Sequence, residues 1–228
     1  MPTARPRDAA TLILVRHDGS EPRILMGRRS GGHAFMPDKW VFPGGRLDRA
    51  DYRAPLSADL SAETAEALGD SRRVARQDRA RLARALAVAA VRETYEEAGL
   101  LLARPVACDS GARGSVGGAA WAPFLERGLA PDLAPLSYIA RAITPPARHR
   151  RFDARFLMAD ARHLVSLAPT DSRELGEIDW FTLEDARALD LPTVTRAVIA
   201  LVDAHLSGTA PATRPFWRWT RANPLSAI

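Results

Sequence analysis

Short apolar runs separated by polar turns fill the N-terminal part of the chain. Residues 11–15 and 23–26 are β-branched or aliphatic, and the turn formers at residues 17–22 lie between them, which predicts a β-hairpin. A third run, residues 40–42, ends in a Pro-Gly-Gly turn at residues 43–45. Because glycine lets a backbone approach its neighbours closely, this pattern predicts a strand that runs into a tight loop.

Apolar positions take helical spacing in the next part of the chain. Residues 51–80 are rich in alanine and charge and poor in strand formers, which predicts a helical surface insertion over about residues 52–84. The insertion runs into a helix predicted over residues 72–98, which Gly99 follows as a left-handed cap. The apolar stripe of this helix consists of Leu82, Leu86, Ala89 and Ala90.

The C-terminal half returns to the alternation typical of strands. Four segments are predicted strands: residues 101–106, 136–143, 153–158 and 177–181. Two helices are predicted at residues 183–189 and 193–206, and Gly208 ends the second. A glycine-rich loop is predicted at residues 109–118. The tail is expected to pack on the body of the protein through three aromatic residues: Phe216, Trp217 and Trp219.

Composition favours one domain. With 228 residues, 46% of them hydrophobic, the chain is long enough to bury one core, and we predict a single domain over residues 1–228. No apolar run approaches the roughly 20 residues of a membrane helix, and the N-terminus lacks the apolar stretch of a signal peptide. We therefore expect a cytoplasmic protein with no membrane partner. Cys108 is the only cysteine, so it cannot form an internal disulfide, and we assign it no role.

The net charge alone excludes few classes of binding partner. The net charge is +5, and arginine carries almost all of the positive charge because Lys39 is the only lysine. Such a balance suits phosphorylated ligands or nucleic acid. The arginines are spread along the chain, however, and the sequence contains no RNA-binding motif and no aromatic–basic stripe. We therefore expect no nucleic-acid partner.

An acidic segment near the end of the long helix contains the candidate metal-binding residues. Residues three and four apart on a helix share a face, so Glu93, Glu96 and Glu97 are expected to converge. Three neighbouring carboxylates repel one another unless a cation offsets their charge, and hard divalent cations prefer oxygen ligands. A solvated helix face explains an isolated E-x-x-E-E triplet better than a metal site does, so the triplet needs support from its surroundings.

Those surroundings resemble the Nudix box, which is G, five residues, E, seven residues, then R-E-U-x-E-E-x-G-U with U a bulky aliphatic residue. The C-terminal half of the pattern matches at Arg92, Glu93, Glu96, Glu97, Gly99 and Leu100. Thr94 departs from it, since an aliphatic residue is usual there. The resemblance to the Nudix hydrolase family implies an α+β fold, an α/β/α sandwich around a mixed β-sheet.

The spacing within the box departs further from the family pattern. Arg92 follows Gly45 by 47 positions instead of 14, so about 33 residues are inserted. Counted forward from Gly45 the first glutamate of the box becomes Asp51, and counted back from Arg92 it becomes Arg84, which leaves that position open. A subgroup of the family, typified by a mammalian peroxisomal coenzyme A diphosphatase, carries such an insertion inside the box. Three segments resemble that subgroup: residues 24–29, 35–45 and 151–156.

The resemblance implies attack by water on one phosphorus of a diphosphate, with Mg²⁺ or Mn²⁺ as cofactor. The implied metal ligands are Glu93, Glu96, Glu97 and a backbone carbonyl, that of Gly45. Arg92 is expected to hold a glutamate in place by a bidentate ion pair. Glu93 is our first choice as general base and Glu174 our second. For the substrate anions we nominate three arginines: Arg28, Arg46 and Arg151.

Several functions remain open at this stage. The subgroup implies a small nucleotide substrate, coenzyme A or acyl-coenzyme A, and a diphosphatase for NADH or ADP-ribose is the nearest alternative. A catalytically inactive Nudix-like regulator that binds a nucleotide is a third, motivated by Thr94 and the replaced first glutamate. The insertion either caps the active site or contributes to a homodimer. The C-terminal residues 225–228 do not form an S-K-L peroxisomal signal, so a peroxisomal location is not expected.

Overall fold

A mixed β-sheet forms the centre of the molecule. The computed structural model describes residues 4–31, 36–71, 74–106, 121–170 and 174–218. In these ranges the strands are β1 (Arg7–Arg16), β2 (Arg23–Arg29), β3 (Trp40–Val41), β4 (Gly44–Arg46), β5 (Ala103–Pro105), β6 (Leu129–Pro131), β7 (Ser137–Ile143), β8 (Phe152–Asp160), β9 (Leu175–Thr182) and β10 (Phe216–Arg218). The main sheet has the order β10-β7-β8-β1-β2-β3, with β4 paired to β1 and β9 to β2, and β5 and β6 form a separate ribbon.

Strand β1 organises this sheet. It runs parallel to β8 along its whole length, from Arg7 opposite Phe152 to Val15 opposite Asp160. Its other edge is shared, because β2 pairs with the C-terminal end of β1 and β4 pairs antiparallel with residues 9–11. The Pro-Gly-Gly turn is therefore fixed beside the first half of β1.

Helices cover both faces of the sheet. They are α1 (Ala62–Gly69), α2 (Arg79–Ala98), α3 (Ala122–Leu125), α4 (Leu183–Ala188) and α5 (Thr193–Leu206). Alternate residues of β1 point to opposite faces, so Leu12 and Leu14 pack with α2 while Ile13 and Val15 pack with α5. The predicted α/β/α sandwich is confirmed. No helix in the described ranges is both long enough and apolar enough to cross a bilayer.

The predicted start of the long helix is wrong. Helix α2 begins at Arg79, after a short 3₁₀ turn at Arg76–Asp78, and not at residue 72. The insertion folds back at this point so that α1 packs on α2. The two helices are so close that a Cβ atom on Gly69 would lie 2.5 Å from the carbonyl oxygen of Arg79, and a chain reversal of this kind requires non-helical residues between them.

The outcome for the tail is mixed. Trp217 packs with the α5 side of the core and its ring lies 6.5 Å from that of Phe156, whereas Phe216 is exposed. Strand β10, which carries both, pairs parallel with β7. Trp219, Cys108 and the glycine-rich loop at residues 109–118 lie outside the described residues.

Candidate active site

The last two turns of α2 lie directly against the Gly-Gly turn. Gly99 ends the helix in the left-handed conformation, with φ of 69°. Upstream, Gly44 N–H donates a 2.8 Å hydrogen bond to Glu97 Oε2. A Cβ atom on Gly45 would lie closer than 3.0 Å to the carboxylate of Glu93. Only a residue without a side chain lets this carboxylate keep its position.

Three carboxylates come together at this contact. Oxygen atoms of Glu93, Glu97 and Glu174 all lie within 4.8 Å of one another, and we call these residues the carboxylate cluster. Glu93 and Glu97 are buried on α2, and Glu174 is exposed immediately before β9. The cluster therefore combines neighbouring turns of a helix with a residue 77 positions further along the chain.

Glu96 lies outside this cluster, although the sequence predicted that it would converge with Glu93 and Glu97. Its side chain is 44% exposed and pairs with Arg92 Nη1 at 3.0 Å. Consecutive helix residues are rotated by about 100°, so residue 96 cannot point in the same direction as residue 97, and it lies four positions from Arg92, with which it pairs. Glu174 is the third member of the cluster, whereas the sequence analysis predicted it only as a candidate general base.

Arg92 is the centre of a buried ion-pair network. Its Nε and Nη2 donate to the two carboxylate oxygens of Asp51 at 2.8 and 3.1 Å, a bidentate pair. Nη1 donates to Glu93 Oε1 at 2.8 Å, and Nη2 also donates to the carbonyl oxygen of Arg46 at 3.1 Å. The expected bidentate partner was a glutamate, and the structure places Asp51 there.

Burial makes ionisation of the carboxylate cluster costly. Burial, together with the neighbouring carboxylates of Glu96 and Glu174, raises the pKa of Glu93 to about 7 even though Arg92 opposes the shift. Burial also raises the pKa of Glu97 well above its ordinary value, against the opposing effects of the Gly44 N–H and the Arg29 charge. Glu97 Oε1 is buried and accepts no hydrogen bond from the described residues.

These features fit a divalent cation. Crowded carboxylate oxygens are the ligands that Mg²⁺ and Mn²⁺ prefer, and a buried oxygen without a hydrogen-bond donor costs free energy unless something else compensates it. A cation held by the carboxylate cluster offsets both the repulsion and the burial.

The carboxylate cluster opens into a cleft of about 2180 Å³. Its lining includes apolar side chains, among them Val41, Phe42, Phe156, Leu191 and Val194. It also includes basic side chains: Arg5, Arg7, Arg46, Arg148, Arg150 and Arg151. The cleft therefore offers both apolar and basic groups to a ligand.

The three arginines nominated from the sequence have different positions. Arg46 and Arg151 line the cleft. Arg28 lies outside the cleft and donates from Nη1 to Glu177 at 2.9 Å. Successive residues of a strand point to opposite faces. Its neighbour Arg29 lines the cleft instead. Arg151 donates two bonds to backbone carbonyls, at Thr144 and Ala4.

Sequence reasoning missed Arg5 and Arg7. Arg7 begins β1 and Arg5 precedes it by two residues, in a segment without strand formers, and their place in the cleft follows from the pairing of β1 with β8. Their spacing of two, typical of one face of a strand, was the only signal available in the sequence.

A family model described as the NUDT19 Nudix domain matches residues 6–189, well over half of the chain. The chain belongs to the Nudix hydrolase family. A crystal structure of a Nudix hydrolase from Alicyclobacillus acidocaldarius is 31% identical, with 88% of this chain and 92% of that chain covered and a TM-score of 0.62. The Nudix domain of Shewanella oneidensis NrtR, solved in complex with ADP-ribose, is 12% identical over 89% and 90% of the two chains, with a TM-score of 0.49.

Within the Nudix box, the ion-pair network joins the arginine position to an acidic position nearer the start of the box. The acidic position six residues after Gly45 is Asp51, whose carboxylate is fully buried against Arg92. Arg84, the other residue considered for that position, pairs with Asp59 on the surface. The insertion therefore separates Asp51 from Arg92 by 41 positions in sequence and leaves them in contact in space. Nudix hydrolases generally use divalent metal ions, in keeping with the carboxylate cluster.

Proposed function

We propose that this Nudix hydrolase is a Mg²⁺- or Mn²⁺-dependent diphosphatase that cleaves coenzyme A or acyl-coenzyme A into a phosphopantetheine product and adenosine 3′,5′-bisphosphate. The observation that carries the proposal is the carboxylate cluster, which packs on the Gly44–Gly45 turn at the base of a wide cleft. The match to the NUDT19 Nudix domain model and the insertion inside the box support the choice of substrate.

The size and surface of the cleft also support this substrate. Ligand pockets commonly measure about 300–1,000 Å³, and this cleft, at about 2180 Å³, is larger. The basic side chains of its lining suit the phosphorylated nucleotide of coenzyme A, and the apolar side chains suit a pantetheine arm or an acyl chain.

Glu93 and Glu97 would hold the metal ion, with Glu174, the carbonyl of Gly45 and, from the exposed side, Glu96 as further ligands. When bound, the ion neutralises charge on the diphosphate oxygens. Arg92 does not need to touch substrate, because its guanidinium already donates to Asp51, Glu93, Glu96 and the backbone carbonyl of Arg46. Its role is to fix the orientation of the glutamates.

The general base accepts a proton from the attacking water. Glu93 remains first and Glu174 second, and the structure brings both to the same point. The pH profiles of Glu93→Gln and Glu174→Gln separate them, since the variant that lacks the base loses the acidic limb of the kcat/KM profile while the other retains it at a lower rate. Retention of the limb in Glu93→Gln and its loss in Glu174→Gln would reverse the order.

A panel of substrates tests the proposed function. The purified protein is incubated with Mg²⁺ or Mn²⁺ and coenzyme A, acetyl-coenzyme A, NADH, ADP-ribose or dinucleoside polyphosphates, and the products are identified by mass spectrometry. Adenosine 3′,5′-bisphosphate from the coenzyme A samples is the expected result. Cleavage of NADH or ADP-ribose with coenzyme A untouched would move the assignment to those substrates. Absence of turnover on every compound of the panel would favour the alternative of a catalytically inactive regulator that binds a nucleotide.

A further inference from the structure

Gly99, the glycine that follows α2, lies against a residue far along the chain. A Cβ atom on Gly99 would lie closer than 3.0 Å to Thr170 Oγ1 and 3.4 Å from Thr170 Cβ. The N–H of Thr170 donates to the carbonyl oxygen of Ala98, the last residue of α2, at 2.9 Å. The last carbonyls of a helix have no partner within the helix. Thr170 therefore caps α2 from outside, and it comes this close because residue 99 has no side chain.

The segment that leads to Thr170 runs antiparallel to the chain that follows α2. The N–H of Val165 donates to the carbonyl oxygen of Leu101 at 2.9 Å. Leu164 forms an antiparallel bridge with Leu102 and packs against the part of the core that contains α2. The bond between Thr170 and the helix end therefore belongs to a docked segment and is not an isolated contact.

Glu174 follows Thr170 by four positions and is held on its other side by the sheet. Four residues span at most about 14 Å, so the place of Thr170 limits where Glu174 can lie. The N–H of Ser30 donates to the carbonyl oxygen of Glu174 at 3.1 Å, and β9 begins at the next residue. Glu174 therefore lies between two anchors, one on the sheet and one on the end of α2.

This position has an electrostatic cost. Glu174 is the exposed member of the carboxylate cluster, and its charge repels the buried carboxylates of Glu93 and Glu97. Repulsion favours a conformation in which the Glu174 side chain turns into solvent. Anchors on both sides of the residue restrict that movement, in the way that outer contacts orient the ligands of a metal ion.

We infer that Gly99 is a positioning residue for Glu174: it admits Thr170 to the end of α2 and thereby fixes the segment that brings Glu174 to the other two carboxylates. The inference rests on the proposed function, in which Glu174 is a metal ligand and a candidate base. The glycine of the box then has two roles, because it ends the acidic helix and joins that helix to the distant acid.

Gly99→Ala tests the inference, with Gly208→Ala as the matched control. Both glycines follow a helix in the left-handed conformation, with φ of 69° and 72°, so alanine is strained equally at both. A Cβ atom on Gly208 would have no heavy atom within 4 Å. Threonine is stiff at χ1, so only the Cβ at position 99 is expected to push Thr170 away.

The measured quantity is the affinity of the full-length protein for Mn²⁺, obtained by titration with detection of free Mn²⁺ by electron paramagnetic resonance. We expect Gly99→Ala to weaken Mn²⁺ binding by about 10-fold, the usual size of a lost outer contact at a metal site. Gly208→Ala is expected to keep the wild-type affinity. Equal affinities of Gly99→Ala and the wild type would overturn the inference.

A second substitution separates the displacement of Thr170 from strain at the helix end. Thr170→Ala removes Oγ1 and retains the backbone N–H that bonds to Ala98. We expect Gly99→Ala/Thr170→Ala to recover most of the Mn²⁺ affinity lost in Gly99→Ala, and absence of recovery would overturn the inference. Gly99→Asn covers the case in which Gly99→Ala does not fold, because asparagine tolerates the left-handed conformation while adding the same Cβ.

Glu174→Gln shows whether the effect passes through Glu174. Residues that act as a unit have non-additive effects. We therefore expect Glu174→Gln to weaken Mn²⁺ binding by about 10-fold and Gly99→Ala to add little in that background. A further loss of about 10-fold in the double variant would mean that Gly99→Ala damages the site by another route, and would overturn the inference.

Mn²⁺ binding requires no substrate, so failure of the inference and failure of the proposed function are distinguishable. Turnover of coenzyme A by the wild type with unchanged Mn²⁺ affinity in Gly99→Ala would overturn the inference and leave the function intact. Loss and recovery of Mn²⁺ affinity as described, in a protein that cleaves no compound of the panel, would support the inference while the proposed function fails. Absence of Mn²⁺ binding by the wild type would overturn both.

Discussion

At the scale of single residues, Arg92 controls the orientation of the acidic helix through a partner far away in sequence. The carboxylate of Asp51 is fully buried and makes two bonds to this guanidinium. Removing one partner of a buried ion pair leaves the other charge uncompensated, which commonly costs 3–5 kcal/mol. The orientation of Glu93 and the stability of the fold therefore depend on the same pair.

Asp51→Asn is expected to lower the free energy of unfolding by about 3 kcal/mol, because Arg92 would remain buried without its carboxylate. Urea denaturation of the metal-free protein measures this loss. Asp59→Asn is the matched control, since Asp59 pairs with Arg84 on the surface, where both side chains are about half exposed, and such pairs contribute at most about 1 kcal/mol. Equal losses in the two variants would contradict the buried network.

The position of Glu97 favours metal binding but lowers the stability of the metal-free fold. Its carboxylate is buried, and Oε1 accepts no hydrogen bond within the described ranges. Glu97→Gln is expected to lower kcat/KM by about 100-fold or more, since several kcal/mol of charge stabilisation depend on the metal ion. It should also abolish the rise in Tm produced by Mg²⁺ without lowering the Tm of the metal-free protein. Glu66→Gln, on the exposed surface of α1, should change none of these quantities.

At the scale of elements, the regular apolar patterns predicted strands and helices well, whereas short elements were not predicted. The alternation around residues 136–143 and 153–158 predicted β7 and β8, although burial in the folded strands does not alternate strictly. Ile139 and Ala140 are both buried, as are residues 155–157, because helices cover both faces of the sheet. Strand β4 contains only Gly44, Gly45 and Arg46 and has no apolar pattern. It forms because β1 offers a free edge, and that edge exists only in the folded sheet.

Gly45→Ala tests the contact between β4 and α2. The added Cβ would meet the carboxylate of Glu93, the end of a flexible side chain that can move. We expect a small loss of stability, below about 1.5 kcal/mol, and a loss of activity of at least about 10-fold, because the carboxylate leaves its position. Gly176→Ala is the control, since a Cβ there would have no heavy atom within 4 Å. A large loss of stability with normal activity would contradict this account.

At the scale of the whole molecule, the candidate site depends on contacts between residues that are far apart in the sequence. The box pattern alone indicated Glu93 and Glu97, because their spacing on one helix is fixed by local geometry. Glu174 and Asp51 could be candidates at most, since their distances from α2 depend on the sheet and on the path of the insertion. Of the basic residues that line the cleft, Arg46 and Arg151 were predicted, whereas Arg5 and Arg7 were not, because these two reach the cleft only through the pairing of β1 with β8.

The carboxylate cluster also couples the stability of the whole protein to pH. The pKa of Glu93 is raised from 4.5 to about 7 in the folded state, so the metal-free folded protein binds a proton that the unfolded chain releases near pH 4.5. Protonation of Glu93 therefore stabilises the folded state fully below about pH 4.5, and this stabilisation is lost as the pH rises through about 7. The loss is on the order of 3 kcal/mol, from about 1.4 kcal/mol per pH unit.

Urea denaturation between pH 5 and 8 in the presence of EDTA measures this loss. His205 contributes with the opposite sign in the same range, because burial lowers its pKa below 6.5 and its contribution grows as the pH rises. The difference between the wild type and Glu93→Gln cancels the contribution of His205 and leaves that of Glu93, together with the effect of the Glu93 charge on the pKa of Glu97. We expect the wild type to lose stability relative to the variant as the pH rises, and a difference independent of pH would contradict the coupling. Since a cation favours the ionised carboxylates, Mg²⁺ should raise the Tm of the wild type more at pH 8 than at pH 5.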